Sequence, residues 1–203
     1  RLSAQRSSPS SGDSSPQAWR WVLREALPAI RALRGGAYDY LCKPFEYDEL
    51  IKKVEDTGAH GLELNFGCPH GMTERGMGAA VGQDPEIACM VVEWVMEAAT
   101  IPVITKLTPN VHSVVPTGRS VVKAGTNGLS LINTIQSVTG IDLDIFVPNP
   151  YAAGKSVLGG YCGPAVKPIE LKMLTTIAQD EVTRKVPISG IGGGSTWKDA
   201  VEF

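Results

Sequence analysis

From residue 62 onward the sequence alternates between strand patterns and helical patterns, and this order is the strongest constraint on its fold. The predicted strands are residues 62–67, 103–108, 129–134 and 187–192. Residues 62–65, for example, alternate between leucine and a polar residue, which is the two-residue period of a strand. Strands that alternate with helices form a parallel sheet with right-handed crossovers, either an open sheet or a closed barrel. Periodicity alone leaves both possibilities open.

Helices are predicted between the strands. Asp84 suits the N-cap and Pro85 the first turn of a helix. Further helices are predicted over residues 113–124 and 167–179, and residues 196–199 resemble a capping box that opens a last helix. The apolar positions are Ile87, Met90, Val91 and Trp94 in the first helix and Ile169, Leu171, Leu174 and Ile177 in the third.

Composition excludes several functional classes. The net charge of −2 gives no electrostatic footprint for nucleic acid, and no apolar run is long enough to cross a membrane. Four scattered cysteines without a Cys-x-x-Cys spacing fit reduced cytoplasmic thiols and predict no metal site, iron–sulfur cluster or zinc ribbon here. With 203 residues, the chain is long enough for one domain with a sizeable core.

A cysteine and an amide follow the first predicted strand. Asn65 and Cys68 precede Pro69 and Gly71, which end the strand, and the glycine-rich residues 72–82 predict a mobile loop. A cysteine at this place suits a proton donor that a loop covers once substrate has entered. A buried structural cysteine is the alternative, because that is the commoner role of cysteine.

The other strand ends carry polar residues too. Lys106 lies in an apolar strand, where a charge needs a partner, or else it extends to the rim. Asn65 and Asn133 offer both donors and acceptors to a ligand, and Thr134 adds a hydroxyl. Asparagines in such positions also commonly satisfy turn backbone.

Two glycine-rich segments predict an anion site. Gly159 and Gly160 form one, and Gly190, Gly192 and Gly193 belong to the other, which precedes a helix. Glycine lets backbone N–H groups approach a phosphate closely, and a helix N-terminus favours the same charge. Turns also require glycine, so each segment alone is weak evidence.

Five motifs in order resemble the dihydropyrimidine dehydrogenase family, in particular the catalytic subunit of the bacterial NAD-dependent type, over about residues 49–203. The motifs are residues 62–72 (LELNFGCPHGM), 106–110 (KLTPN), 132–134 (INT), 159–164 (GGYCGP) and 189–193 (SGIGG). The resemblance implies an α/β fold, an incomplete TIM (β/α)8 barrel of the dihydroorotate dehydrogenase-like type. The site residues then lie at the carboxyl ends of the strands.

The resemblance also implies a reaction, the FMN-dependent reduction of the 5,6 double bond of uracil or thymine. Hydride passes between flavin N5 and pyrimidine C6, and Cys68 gives a proton to C5. Asn65, Asn133 and Thr134 bind the pyrimidine base, and Lys106 stabilises the reduced flavin. The predicted glycines, Gly159, Gly160, Gly190, Gly192 and Gly193, hold the FMN phosphate.

Electrons would then come from an NAD/FAD-type partner subunit, since iron–sulfur clusters and an NAD site belong to missing domains or to that partner. Dihydroorotate-type dehydrogenases share the barrel and the strand-end asparagine and cysteine, and they are the alternative enzyme. The continuation His70-Gly71-Met72 favours pyrimidine bases.

The first 50 residues depart from this family. Residues 1–16 are rich in serine and proline and are expected to be disordered. Residues 17–50 predict a helix and then a remnant, at about 26–50, that resembles the end of a response-regulator receiver domain, with Lys43 in the matching position. Residues 51–203 are expected to form the partial FMN-binding barrel, and residues 38–43 to take the position of a fifth strand. A fragment or chimera without activity of its own, carrying a receiver-like interaction segment, is therefore a further alternative.

Overall fold

The computed structural model describes residues 47–68, 77–152 and 154–203. The predicted disordered segment, nearly all of the receiver-like remnant, a fifth strand predicted over residues 38–43 and most of the loop after Cys68 lie outside these residues.

The described elements are, in order, α1 (Tyr47–Glu55), β1 (Leu62–Asn65), α2 (Ala79–Gln83), α3 (Pro85–Ala98), β2 (Val103–Lys106), α4 (Val115–Lys123), β3 (Gly128–Leu131), β4 (Ile135–Ser137), β5 (Gly140–Asp142), β6 (Val147–Asn149), β7 (Tyr151–Ala152), β8 (Lys155–Ser156), β9 (Gly159–Tyr161), α5 (Lys167–Gln179), β10 (Ile188–Gly190) and α6 (Trp197–Glu202). The four predicted strands are all present, and each ends two or three residues earlier than expected.

The main sheet is parallel, with the strand order β1-β2-β3-β10. Asn65 is the register partner of Lys106, and Lys106 that of Ser130. The strands follow one another in chain order, and successive helices, α3 on α4 and α4 on α5, contact each other in one layer. A doubly wound sheet would reverse its strand order and place helices on both faces, so this arrangement is a segment of a barrel.

The helix starts were predicted correctly. The side chain of Asp84 accepts hydrogen bonds from the N–H groups of Glu86 and Ile87, at 2.9 and 3.1 Å. Thr196 and Asp199 form the full capping box at the start of α6. Because these signals depend only on local backbone groups, the sequence reveals them without tertiary information.

The buried sides of two helices differ from the predicted apolar stripes. In α3 the buried residues are Ala88, Val92 and Val95, whereas Ile87, Met90 and Trp94 are about two fifths exposed. This helix is apolar over most of its circumference, so hydrophobicity does not determine which side faces the sheet. In α5, Leu174 and Ile177 are buried as expected, but Ile169 is exposed and Glu170 is buried.

Three antiparallel strand pairs follow β3, and the sequence analysis did not predict them. β4 pairs with β9, β5 with β6, and β7 with β8. Another difference concerns the predicted loop over residues 72–82, whose last four residues belong to the short helix α2. The main core lies between the parallel sheet and the helices, where Val92, Leu107, Leu129 and Ile177 are among the buried side chains.

Candidate functional site

Polar side chains from separate strands meet at the carboxyl edge of the parallel sheet. The Asn133 side-chain amide donates a hydrogen bond of 2.7 Å to Oδ1 of Asn65. Asn65 Oδ1 also accepts from the Gly67 N–H at 3.1 Å, and Asn133 Oδ1 accepts from the Thr134 N–H at 2.8 Å. The structure therefore brings together the three residues predicted to bind substrate.

Gly67 allows this meeting because it has no side chain. A Cβ at Gly67 would lie 2.3 Å from Cβ of Asn133, so any larger residue would displace that asparagine. Cys68 follows directly and is partly exposed, and its carbonyl accepts the Ala79 N–H at 3.1 Å. The backbone at Cys68 is thus held on both sides, by the close approach of Gly67 to Asn133 and by the bond from the start of α2.

Lys106 has the partner that a lysine in an apolar strand requires. Its Nζ donates to Oε1 of Glu63 at 3.3 Å, and the Lys106 side chain is 20% exposed. Glu63 lies on β1 and Lys106 on β2, and both belong to the sheet face opposite the helices. This ion pair neutralises the lysine while leaving the ammonium group at the cavity, where a ligand could compete for it.

Asn110 connects the end of β2 to the segment after β3, although no role was assigned to it beforehand. Its side-chain amide donates to the Thr134 carbonyl at 3.1 Å, and its Oδ1 accepts the Gln136 N–H at 2.8 Å. These two bonds hold the backbone at Thr134 and Gln136, just after Asn133. The strand-end position of Asn110 was the only sequence signal for this function.

One cavity, of about 740 Å³, opens at this edge of the sheet. That volume is typical of sites for small molecules and cofactors. Six of the residues predicted to contact a ligand line this cavity: Lys106, Asn133, Thr134, Gly190, Gly192 and Gly193. The sequence analysis did not assign roles to Tyr161, Cys162, Gly163, Ser195, Trp197 and Phe203, which line it as well.

Asn65 and Cys68 lie outside this lining, and so do Gly159 and Gly160. The two glycines form β9 and pair with Ser137 and Gln136 of β4, and the following residues, from Tyr161 on, reach the cavity. Their contribution to a phosphate site stays a prediction.

The loop after β10 provides unpaired backbone donors. Among the described residues, the N–H groups of Gly192, Gly193 and Gly194 have no hydrogen-bond acceptor. Gly193 has φ +77, which favours glycine, and a Cβ there would lie 2.7 Å from the Gly163 carbonyl oxygen. The start of α6 differs from the prediction, because the carboxylate of Asp199 already accepts the N–H groups of Ser195 and Thr196. The glycines, rather than these two amides, are therefore the available anion donors.

Glu170 lies behind this loop and is fully buried, at 0% exposure. Neither carboxyl oxygen has a hydrogen-bond partner in the described part of the chain. Burial raises the pKa of Glu170 to about 7, and the nearby Ile191 N–H is the smaller, opposing influence. Glu170 precedes Leu174 and Ile177 by one and two helical turns, which is the signal that could have revealed its burial.

The fold and the site define a ligand-binding domain of the parallel α/β barrel class, with its cavity at the carboxyl ends of the strands. The family model for dihydroorotate dehydrogenase matches residues 41–203. The chain belongs to the dihydroorotate dehydrogenase family. Its predicted TIM-barrel class is thereby confirmed, and the match begins early enough to include Lys43 from the receiver-like remnant.

Individual relatives confirm the resemblance to dihydropyrimidine dehydrogenases. The chain is 46% identical to the chloroplastic dihydropyrimidine dehydrogenase (NADP(+)) of Arabidopsis thaliana, over 77% of the chain and 38% of that protein. It is 40% identical to the NAD-dependent dihydropyrimidine dehydrogenase subunit PreA of Escherichia coli (strain K12), over 89% of the chain and 46% of that subunit. It is 38% identical to the catalytic subunit of dihydroorotate dehydrogenase B (NAD(+)) of Pyrococcus horikoshii, over 91% of the chain and 57% of that subunit.

The chain thus spans between 38% and 57% of the length of these curated relatives. None of the helices described in residues 47–68, 77–152 and 154–203 is long and apolar enough to cross a membrane. In the same residues, no group of three or more histidine, cysteine or acidic side chains is arranged to hold a metal ion.

Proposed function

We propose that this chain is the flavin- and substrate-binding part of an FMN-dependent oxidoreductase that reduces the 5,6 double bond of uracil or thymine. The observation that carries the proposal is the composition of one cavity. The same space is lined by a glycine loop with free N–H groups and by Lys106, Asn133 and Thr134. The N–H groups suit the phosphate of a flavin mononucleotide, and the amide groups suit the polar edge of a pyrimidine ring.

The residues present fit FMN. Gly190, Gly192 and Gly193 line the cavity with backbone alone, and the loop N–H groups are suited to the phosphate. Lys106, on the opposite side of the cavity, would stabilise negative charge on the isoalloxazine ring. When bound, FMN supplies the hydride chemistry that amino-acid side chains lack.

The chain's own residues bind and protonate the substrate. Asn65 and Asn133 present amide donors and acceptors, which suit the alternating N–H and C=O groups of a pyrimidine edge. Their mutual hydrogen bond orients both amides before substrate enters. Cys68 gives its thiol proton to pyrimidine C5, a general-acid function that a cysteine thiol can perform.

Dihydroorotate oxidation is the second candidate, favoured by the match to catalytic subunits of dihydroorotate dehydrogenase B at 38% and 39% identity. Both reactions use a pyrimidine ring, a flavin and a cysteine. The segment that distinguishes them in sequence, His70-Gly71-Met72, lies outside the described residues.

Electrons would reach the site from a nicotinamide through a partner subunit. The relatives are named as a "subunit" and as a "catalytic subunit", which supports a multi-subunit assembly for this chain as well. The partner would carry the NAD site, an FAD-type flavin and iron–sulfur clusters. We expect a cytoplasmic location, from the reduced cysteines that the sequence predicts.

The test is a retained flavin spectrum followed by single-turnover oxidation. The chain is mixed with FMN, passed through gel filtration, photoreduced, and then mixed with uracil, thymine or, separately, orotate. Reoxidation of the bound flavin by uracil or thymine supports the proposal, and reoxidation by orotate alone supports the second candidate. Loss of all flavin on the column would contradict both.

A further inference from the structure

The carboxyl group of Glu170 is in direct contact with the backbone of the cavity's glycine loop. A Cβ built on Gly192 would lie 2.2 Å from its Oε2, and one on Gly190 would lie 3.2 Å from its Oε1. Glu170 reaches this place from α5, on the side of the loop away from the cavity. It is 0% exposed and has no hydrogen-bond partner among the described residues. A buried polar group without a partner costs free energy, so a packing function alone does not explain a glutamate here.

The charged groups around Glu170 leave its negative charge uncompensated. The basic groups on the neighbouring elements and across the cavity are already paired: Lys167 with Asp199 and Glu202, Arg119 with Asp180, and Lys106 with Glu63. β3 (Gly128–Leu131), β10 (Ile188–Gly190) and the turn Pro164–Val166 contain no titratable side chain. The other basic residues of α4, α5, α6 and the turn Thr183–Lys185 are exposed, where solvent screens their charge.

We propose that Glu170 is a proton-linked control on anion binding: the cavity accepts the phosphate group of a flavin nucleotide when Glu170 is protonated and loses affinity when Glu170 is ionised. The inference rests on the proposed function, since it concerns the same cavity. An ionised Glu170 repels the phosphate through the thin glycine loop and attracts the positive ends of the same N–H dipoles from behind. A neutral Glu170 leaves those dipoles to the ligand.

The direction of the pH dependence follows from this competition. Burial raises the pKa of Glu170 to about 7, and a bound phosphate would raise this pKa further. Affinity for the anion is therefore highest below pH 7 and declines above it. Each unit by which the anion shifts the pKa corresponds to a tenfold change in affinity, so we expect about a tenfold loss between pH 6 and pH 8.5.

The experiment measures FMN binding by the full chain from pH 5.5 to 8.5, by quenching of flavin fluorescence. The variants are Glu170→Gln, which keeps the shape without the charge, and Glu170→Met, which replaces the carboxyl group by an apolar side chain of similar size. The matched control is Glu181→Gln, since Glu181 is an exposed glutamate just beyond α5. The FMN phosphate itself titrates near pH 6, and this adds the same pH dependence to the wild type and to every variant. Sulfate, which does not titrate in this range, is therefore used as a competing ligand in parallel.

We expect wild-type protein and Glu181→Gln to lose affinity for FMN and for sulfate as the pH rises, and both Glu170 variants to hold it. A pH dependence of sulfate binding that is the same in wild type and in either folded Glu170 variant would overturn the inference while leaving the proposed function intact. Direct titration of sulfate by calorimetry covers the case in which FMN does not bind. Sulfate binding that weakens as the pH rises, without any FMN binding, would contradict the proposed function but support proton-linked anion binding. No binding of either ligand at any pH would overturn both.

Discussion

The hydrogen bond between the side chains of Asn133 and Asn65 joins the carboxyl ends of two strands that are not neighbours. Asn65 ends β1, Asn133 follows β3, and β2 lies between them in the sheet. The bond therefore crosses the mouth of the sheet above Lys106. It fixes the distance between two amides before any ligand enters, which is the kind of preorganisation that makes binding less costly in entropy.

Replacement of Asn133 by alanine should break this connection. We expect a loss of about 1 kcal/mol in the free energy of unfolding, the usual net contribution of one hydrogen bond. We also expect at least about tenfold weaker binding of uracil, because an amide that meets the ring edge is lost and Asn65 is no longer oriented. Urea unfolding and isothermal titration measure the two effects. Gln179→Ala, an exposed amide removed far from the site, should change neither.

Gly67→Ala should disturb the site without removing any functional group. The added Cβ would lie 2.3 Å from Cβ of Asn133, so either the asparagine moves or the backbone does. We expect a destabilisation of about 1–3 kcal/mol, as for other overpacked positions, together with weaker uracil binding. Gly140→Ala is the control, because a Cβ there has no atom within 4 Å. Equal stability of the two variants would show that the close approach of Gly67 to Asn133 does not require a glycine.

Cys68→Ala should abolish protonation of the pyrimidine while sparing the cofactor. We expect the rate of flavin reoxidation by uracil to fall by about 10²-fold or more, the usual contribution of a general acid, with FMN retained on gel filtration. Stopped-flow absorbance of the photoreduced protein measures the rate. Cys89→Ala removes another partly exposed thiol, one that bonds to Glu93 within α3, and should react at the wild-type rate. A full rate in Cys68→Ala would exclude Cys68 as the acid.

The free energy of unfolding should decline between pH 4.5 and pH 7 because of Glu170. Its pKa is about 7 in the folded chain and 4.5 as the ordinary value, so in this window the folded chain retains a proton that the unfolded chain has released. Stability due to this proton is fully present below pH 4.5 and lost as the pH rises to 7, by at most about 3 kcal/mol. Urea unfolding at pH 5, 6, 7 and 8 measures it. Glu170→Gln should show a smaller decline, and parallel curves would contradict the assignment.

Local signals in the sequence predicted the helix starts and the sheet, but not which side of each helix is buried. Asp84 and Thr196 cap their helices through backbone groups two or three residues away, so they are visible without tertiary information. The exposure of Ile87 depends on where the sheet lies relative to the helix, which the sequence does not contain. The antiparallel strands after β3 have only two or three residues each, too short for a periodicity to be recognised.

The candidate site was predictable where it depends on strand ends. Asn65, Lys106 and Asn133 were expected to converge because parallel strands present their carboxyl ends at one edge, and the structure places Asn65 and Asn133 in contact. The unpaired N–H groups of the glycine loop were expected too. The bonds of Asn110 and the carboxyl group behind the loop required coordinates. Each of these joins residues far apart in sequence or depends on a side-chain direction.

The pairing of β4 with β9 affects which parts of this protein can vary during evolution. Ile135 and Tyr161 are register partners, so the two ends of the segment between them lie side by side. The number of residues between β4 and β9 therefore does not change the distance that the chain must span between β3 and β10. Lengthening, shortening or replacing the outer hairpins would alter the surface around the cavity mouth without shifting the register of the parallel sheet. Selection can thus reshape what approaches the cavity while the residues that hold the ligand stay in place.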